Sequence, residues 1–215
     1  GAAIRRVGSD LAAAGRYVRA DVRLMTIIGL VGVHCSFTMA FDAMMPTLSE
    51  KVGGSSALYS SILIGLGTGA LIGTIGVSQL RNAQHRGSMF LASGLGSGAA
   101  MLLLGSATSR PAVILGAALA GLTQASYMTL SATFIQKVVT DQFRGRVMSL
   151  YIMIAAGHMA LMNLGFGRAA ETIDVRWLLV GPGLVWILVF AVAVFSLTEA
   201  RSLMSRGNFT HSRPS

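Results

Sequence analysis

The sequence has one cysteine and very little charge. Cys35 is alone among 215 residues, so neither an internal disulfide framework nor a CxxC metal site is possible. Charged residues make up 12% of the chain, about half the share that a typical soluble domain carries. A shell so poor in charge does not cover a chain with 53% apolar side chains and a mean hydropathy of +0.66. Lipid, not water, is the solvent this composition fits. The sequence has no GxxxxGK[ST] loop, so nothing in it points to nucleotide hydrolysis. No basic region followed by a small-residue cleavage site precedes the first apolar run, which speaks against a signal peptide. The chain starts at Gly1, and the reading is that it is a piece of a longer polypeptide.

What is present is a series of six apolar stretches, at 24–46, 55–80, 87–109, 112–136, 147–167 and 177–198. Each meets the requirement of about 20 residues for a helical crossing. The expected fold is therefore an all-α membrane protein with six transmembrane helices. Residues 1–23 form a linker and residues 199–215 a tail expected to be disordered and cytoplasmic.

The net charge of +9 does not point to nucleic acid, because the basic residues fall between the apolar stretches. Thirteen of the 17 Lys and Arg lie on one side of the alternating connections; only Lys51, Arg110, Arg168 and Arg176 lie on the other. Positive residues stay on the cytoplasmic side. Both termini are accordingly expected in the cytoplasm, in a cytoplasmic (plasma) membrane. In the linker, Ile4, Val7, Leu11, Val18 and Val22 recur at three- and four-residue steps. This amphipathic helix either lies on the inner leaflet or covers the cytoplasmic face of the bundle.

Small residues recur at four-residue spacing, as Gly65, Gly69 and Gly73 in the second span and Gly94 and Gly98 in the third. Such stripes let helix backbones touch in lipid. They serve tight packing, or also sliding during a conformational cycle. Polar side chains at membrane depth are the candidate functional residues. His34, Thr38 and Asp42 stand at i, i+4 and i+8, which on a regular helix is one face. Gln124 and Tyr127 lie in the fourth span and His158 in the fifth. Structural hydrogen bonding is the alternative role for each of them. Two histidines without a third ligand make a poor metal site. Ser97 with His158 suggests an intramembrane serine protease only loosely, since Leu95 stands where the motif needs glycine.

The stretch 133–151, with Arg144-Gly145-Arg146-Val147-Met148-Ser149, is the most distinctive. It resembles the loop between the tenth and eleventh helices of the major facilitator superfamily, in the drug and siderophore exporter branch that includes the enterobactin exporter. Gly15-Arg16-Tyr17-Val18-Arg19 resembles the central linker of that branch. The loop at 76–87 departs from the family pattern, lacking its acidic residue.

The resemblance implies the C-terminal half of a twelve-helix fold, built from two inverted three-helix repeats. The implied function is secondary export of a small amphipathic or lipophilic solute, by proton antiport and without a cofactor or enzymatic step. His34, Thr38, Asp42, Gln124, Tyr127 and His158 become the cavity candidates, lining a space between the first, second, fourth and fifth spans. Asp141, Arg144 and Arg146 become the loop or gate, the arginines pairing with acidic groups of the other half; from the residues alone, Thr140 or Asp141 caps the helix, and the alternatives for the arginines are binding of anionic headgroups or a purely topological role. The partners are then lipid, the solute, and a missing N-terminal half or a second copy. The rival is a six-helix scaffold module that does not transport.

Overall fold

The computed structural model describes residues 2–53, 56–198 and 200–202. Helix α1 (Ala2–Ala20) ends at Asp21, whose carboxylate accepts from the Arg23 N–H and caps α2 (Val22–His34). The first span continues through a π turn (Cys35–Met39), a 3-10 turn (Asp42–Met44) and α3 (Met45–Lys51). Single helices form the remaining spans: α4 (Ser56–Ser78), α5 (Ala83–Ser106), α6 (Arg110–Val138), α7 (Asp141–Ala169) and α8 (Val175–Ser196). Among the described residues there is no strand. All six spans are long and apolar enough to cross a membrane. This is an integral membrane protein.

The boundaries differ from the sequence reading mainly in two places. The first span is broken and runs on to Lys51 instead of ending at residue 46, and α7 begins at Asp141, a turn and a half before residue 147. Most of the expected tail, 199 and 203–215, lies outside the described residues.

Short connections force successive long helices to run antiparallel. The first and fourth spans therefore cross in opposite directions, as do the second and fifth and the third and sixth. The packing has the matching symmetry. Helix α4 packs on α6 as α7 packs on the first span; α5 packs on α6 as α8 packs on the first span; α5 and α8 pack on each other. Exchanging the first three spans for the last three leaves this pattern unchanged, which is the arrangement of two inverted repeats. The second and fifth spans, exchanged by that operation, are the least buried of the six.

The two halves of the pattern differ in tightness. Gly69 and Gly73 of α4 lie so close to α6 that an added Cβ would sit 1.9 Å from the Ala118 carbonyl oxygen and 2.3 Å from that of Leu122. Gly121 of α6 returns the contact against the Leu66 carbonyl, also at 1.9 Å, and Gly65 sits against Ile114 at 3.1 Å. Gly94 and Gly98 of α5 make room for Phe190 and Ile187 of α8. The contact between the first span and α7, equivalent to the α4–α6 seam, is open and leaves a groove.

Basic ends sort as the alternation requires. Arg110 donates to the Gly53 carbonyl at 2.5 Å and Lys51 pairs with Asp174, so these residues share one face of the bundle. Helix α1 packs on the opposite face against α7, with Ala14 and Val18 buried in the core. That contact is the one a linker covering the bundle would make. The side chains of residues 2–7 lie outside the described residues.

Candidate functional site

The first span breaks where its own side chains compete with its backbone. Ser36 Oγ donates to the Gly32 carbonyl at 2.8 Å and Thr38 Oγ1 to the His34 carbonyl at 2.9 Å. Back-bonding of this kind bends helices. The π turn occupies the same residues, and Ala40 then leaves helical geometry at φ −86°, ψ 52°. Backbone groups released within the membrane must find partners, since each orphan costs several kcal/mol in lipid. Two side chains from other spans supply them. Gln124 Nε2 of α6 donates to the Thr38 carbonyl at 2.5 Å, and Asn163 Oδ1 of α7 accepts from the Ala43 N–H at 3.3 Å. The break in the first repeat is thus held by two spans of the second.

This geometry separates the stripe at 34, 38 and 42. His34 and Thr38 are fully buried, while Asp42 stands exposed on the 3-10 turn. The one-face expectation assumed 3.6 residues per turn, and the π turn through Met39 followed by non-helical Ala40 and Phe41 rotates the carboxylate away.

His34 faces the packed core. Its Nε2 lies 3.0 Å from Ser97 Oγ, and the Ser97 hydroxyl donates to the Ser93 carbonyl at 2.7 Å. A hydroxyl has one proton, so His34 Nε2–H is the donor, and Nδ1 has no partner among the described residues. The imidazole stacks on Tyr127 at 4.2 Å and meets the edge of Trp186 at 4.9 Å; Trp186 Nε1 donates to the Gly94 carbonyl at 2.7 Å. Tyr127 in turn stacks on Phe90 at 4.6 Å. The single cavity expected for His34, Thr38, Gln124, Tyr127 and His158 is therefore two environments. The first four are buried in the core: Thr38 and Gln124 donate to backbone carbonyls, His34 bonds Ser97, and Tyr127 stacks between His34 and Phe90.

Ser97, passed over in the sequence except as a nucleophile, is the residue that orients His34. Its spacing with Ser93 beside the Gly94/Gly98 stripe was the available signal. Since Ser97 accepts from the imidazole and gives its proton to a carbonyl, the pair is not a nucleophile with its base.

His158 occupies the other environment. A groove of about 450 Å³ runs between α1, the first span and α7, lined by Val18, Arg19, Ile28, Gly32, Ser36, Phe37, Ile154, His158 and Met162 among others. Its volume falls in the usual range for small-molecule pockets. His158 Nδ1 lies 2.8 Å from the Ile154 carbonyl and is its donor, which leaves Nε2 toward Gly32, where a Cβ would be 3.8 Å away. Arg19 and His158 are the titratable side chains of the lining. The second and fourth spans, expected to contribute, do not line it; they close on each other at the glycine seam. A second groove of about 460 Å³ between α2 and α8 has no titratable lining residue. Among the described residues no three His, Cys, Asp or Glu side chains converge as a metal site would require.

The conspicuous loop is tied to this same chain. Asp141 pairs with Arg144 at 2.5 Å within the first turn of α7, and Arg146 Nε reaches Asp10 of α1 at 3.2 Å. Phe143 stacks on Tyr17 at 4.5 Å, with the Arg146 guanidinium 5.8 Å from the Phe143 ring. Thr140 takes the N-cap position without a side-chain hydrogen bond, so the expected cap is absent and Asp141 acts by charge at the helix start. Two carboxyls at element ends are held below the usual carboxylate range. Asp21 is held there by its bonds to Arg23, and Asp174 by Lys51 and the Arg176 N–H.

The model of the transmembrane secretion effector family, within the major facilitator superfamily, matches residues 3–213. No curated protein and no solved structure matches.

Proposed function

The chain belongs to the transmembrane secretion effector family of major facilitator transporters, and from that premise we propose that it is the C-terminal half of a proton-coupled exporter. In this reading two six-helix halves rock around a central path. The solute is a small amphipathic or lipophilic molecule of the drug or siderophore kind. The membrane is the cytoplasmic membrane, with both termini inside, as thirteen basic residues against four support. The uncovered second and fifth spans are the surfaces the other half, or a second copy, would meet.

One observation carries the proposal: an open groove of about 450 Å³, between spans from opposite repeats, has a histidine on its wall. In this reading His158 handles the proton and touches solute, and Arg19 stands at the α1 end. Gln124 and Asn163 brace the broken first span; His34, Thr38 and Tyr127 keep its core side rigid, and Asp42 stands at its outer end. Asp141, Arg144 and Arg146 hold α1 against the bundle, and opening of the Asp10–Arg146 pair accompanies rocking.

The test is transport by the full-length protein in inside-out vesicles. A fluorescent amphipathic dye should accumulate when the lumen is acidified and stop when a protonophore collapses the gradient, and His158→Leu should reduce uptake at least tenfold. Accumulation that is indifferent to the gradient and to residue 158 would reject the reading.

A further inference from the structure

We infer that the sulfur atoms of Cys35, Met39 and Met128 form a site for one soft monovalent metal cation, with Cu(I) as the reference ion. The site goes beyond the exporter reading and does not rest on it. It lies where the π turn of the first span meets α6 and α7, and none of its three sulfurs belongs to the groove that holds His158.

Two spans bring the sulfurs together. The π turn that carries Cys35 also carries Met39, and their sulfurs stand 3.7 Å apart. Met128 arrives from α6 with its Sδ 3.8 Å from Cys35 Sγ. Tyr151 of α7 fixes that residue, donating to the Met128 carbonyl at 3.1 Å with its hydroxyl 3.7 Å from the Met128 sulfur. Metal–sulfur bonds of about 2.3 Å put the sulfurs of a planar three-coordinate site about 4.0 Å apart. The two separations from Cys35 fall about 0.2–0.3 Å short of that figure, so small rotations of the thioethers admit the ion.

The metal-free cluster leaves polar capacity unused. Cys35 has one thiol proton and two thioether acceptors beside it. Tyr127 is fully buried, and its hydroxyl makes no hydrogen bond among the described residues; Cys35, Tyr151 and Ser131 are the groups near it. Ser131 gives its own proton to the Tyr127 carbonyl, and Tyr151 gives its proton to that of Met128. A thiol is a weak acceptor. A metal-bound thiolate is a charged one, whose hydrogen bonds are about twice as strong as neutral ones. The idle Tyr127 hydroxyl therefore gains a partner when Cys35 becomes a thiolate.

The ligand set selects the ion. One thiolate and two thioethers suit Cu(I) and its soft relatives rather than hard cations. On binding, the Cys35 S–H bond breaks, the proton leaves to water and an S–Cu bond forms, with no change of oxidation state. The thiolate then cancels the single positive charge, and nothing ionic remains in the apolar surroundings. Zn(II) on the same three atoms would leave a buried positive charge without a counter-charge. Met39 and Met128 are half-buried and Cys35 is buried, so the ion meets the thioethers before the thiol.

The test is retention of Cu(I) by the full-length protein in lipid nanodiscs. The copper is kept reduced by ascorbate without oxygen, the chromophoric chelator bicinchoninate competes for it, and empty nanodiscs are subtracted. Wild type should retain one equivalent more than Cys35→Ala. Met39→Leu and Met128→Leu, which conserve core volume, should each weaken retention at least tenfold. Ag(I) should displace that equivalent and excess Zn(II) should not. The methionine variants decide the question if Cys35→Ala does not fold. Copper content unchanged in Cys35→Ala, retention in both methionine variants equal to wild type, or displacement by Zn(II) would each overturn the inference.

Discussion

Replacing Gly69 by alanine should loosen the tightest seam in the bundle. The new Cβ would lie 1.9 Å from the Ala118 carbonyl oxygen and 2.9 Å from the Leu122 nitrogen, both backbone atoms that cannot swing aside. Restoring even the 3.0 Å below which real Cβ contacts essentially never fall means moving α4 and α6 apart locally by 3.0 − 1.9 = 1.1 Å. A radial gap of about 1 Å forfeits up to half of each dispersion contact along the seam, and overpacking of this kind costs about 1–3 kcal/mol. At roughly 2–4 °C per kcal/mol for a domain of this size, the thermal midpoint should drop by roughly 2–12 °C. The same helix supplies the control. Gly67 and Gly76 have nothing within 4 Å of an added Cβ, so alanine there should leave the midpoint unchanged or raise it slightly through helix propensity. The assay is a fluorescence-monitored melt in one detergent for all three variants. A Gly69→Ala midpoint within a degree of wild type, or an equal loss in Gly67→Ala, would refute the seam.

Gln124→Leu should cost about 1–3 kcal/mol in the same melt, the usual penalty for a buried carbonyl left without its donor; an unchanged midpoint would mean that Gln124 does not brace the break. Asp10→Asn should raise cleavage of the α1–α2 junction by limited proteolysis by no more than about fivefold, because half-exposed pairs contribute about 0–1 kcal/mol. Tyr17→Ala, which removes the ring stacked on Phe143, should raise it further; equal cleavage rates in wild type and both variants would show that neither contact holds α1. Asp21 and Asp174 both have carboxyls held below the usual range in the folded state. Their stabilisation is therefore complete above the unfolded value near 3.8 and is lost as pH falls through the lower folded value. The melt should destabilise below about pH 4, and this dependence should flatten in the double variant Asp21→Asn/Asp174→Asn; an unaltered profile would remove both groups from the acid response.

The membrane layout was legible because hydropathy acts locally: each span announces itself by twenty or more apolar residues, and the basic residues fall between them. The break at Ala40 and Phe41 was not. No glycine or proline stands between Gly32 and Pro46 to mark it, back-bonding by Ser36 and Thr38 is not written in residue spacing, and the groups that stabilise the opening, Gln124 and Asn163, arrive from about 86 and 120 residues away. The same distance problem hid Ser97, 63 residues from His34. Periodicity misassigned the face of Asp42 because it presumes an unbroken helix. The resemblance around Arg144-Gly145-Arg146 pointed to the major facilitator superfamily, to which the family matching residues 3–213 belongs. It did not show that Arg146 finds an acid within this chain, since Asp10 belongs to a helix whose docking depends on Tyr17 and Phe143.

The central claim is that polar residues at membrane depth divide between a reachable groove and a sealed core. Single cysteines at positions 158, 32, 34 and 97, introduced into a Cys35→Ser background of the full-length protein in vesicles, test it with a membrane-impermeant thiol reagent. Positions 158 and 32 should label, with solute slowing the reaction, and positions 34 and 97 should stay unreactive until the protein is denatured. Labelling at 34 or 97 in the native state, with 158 silent, would contradict the account.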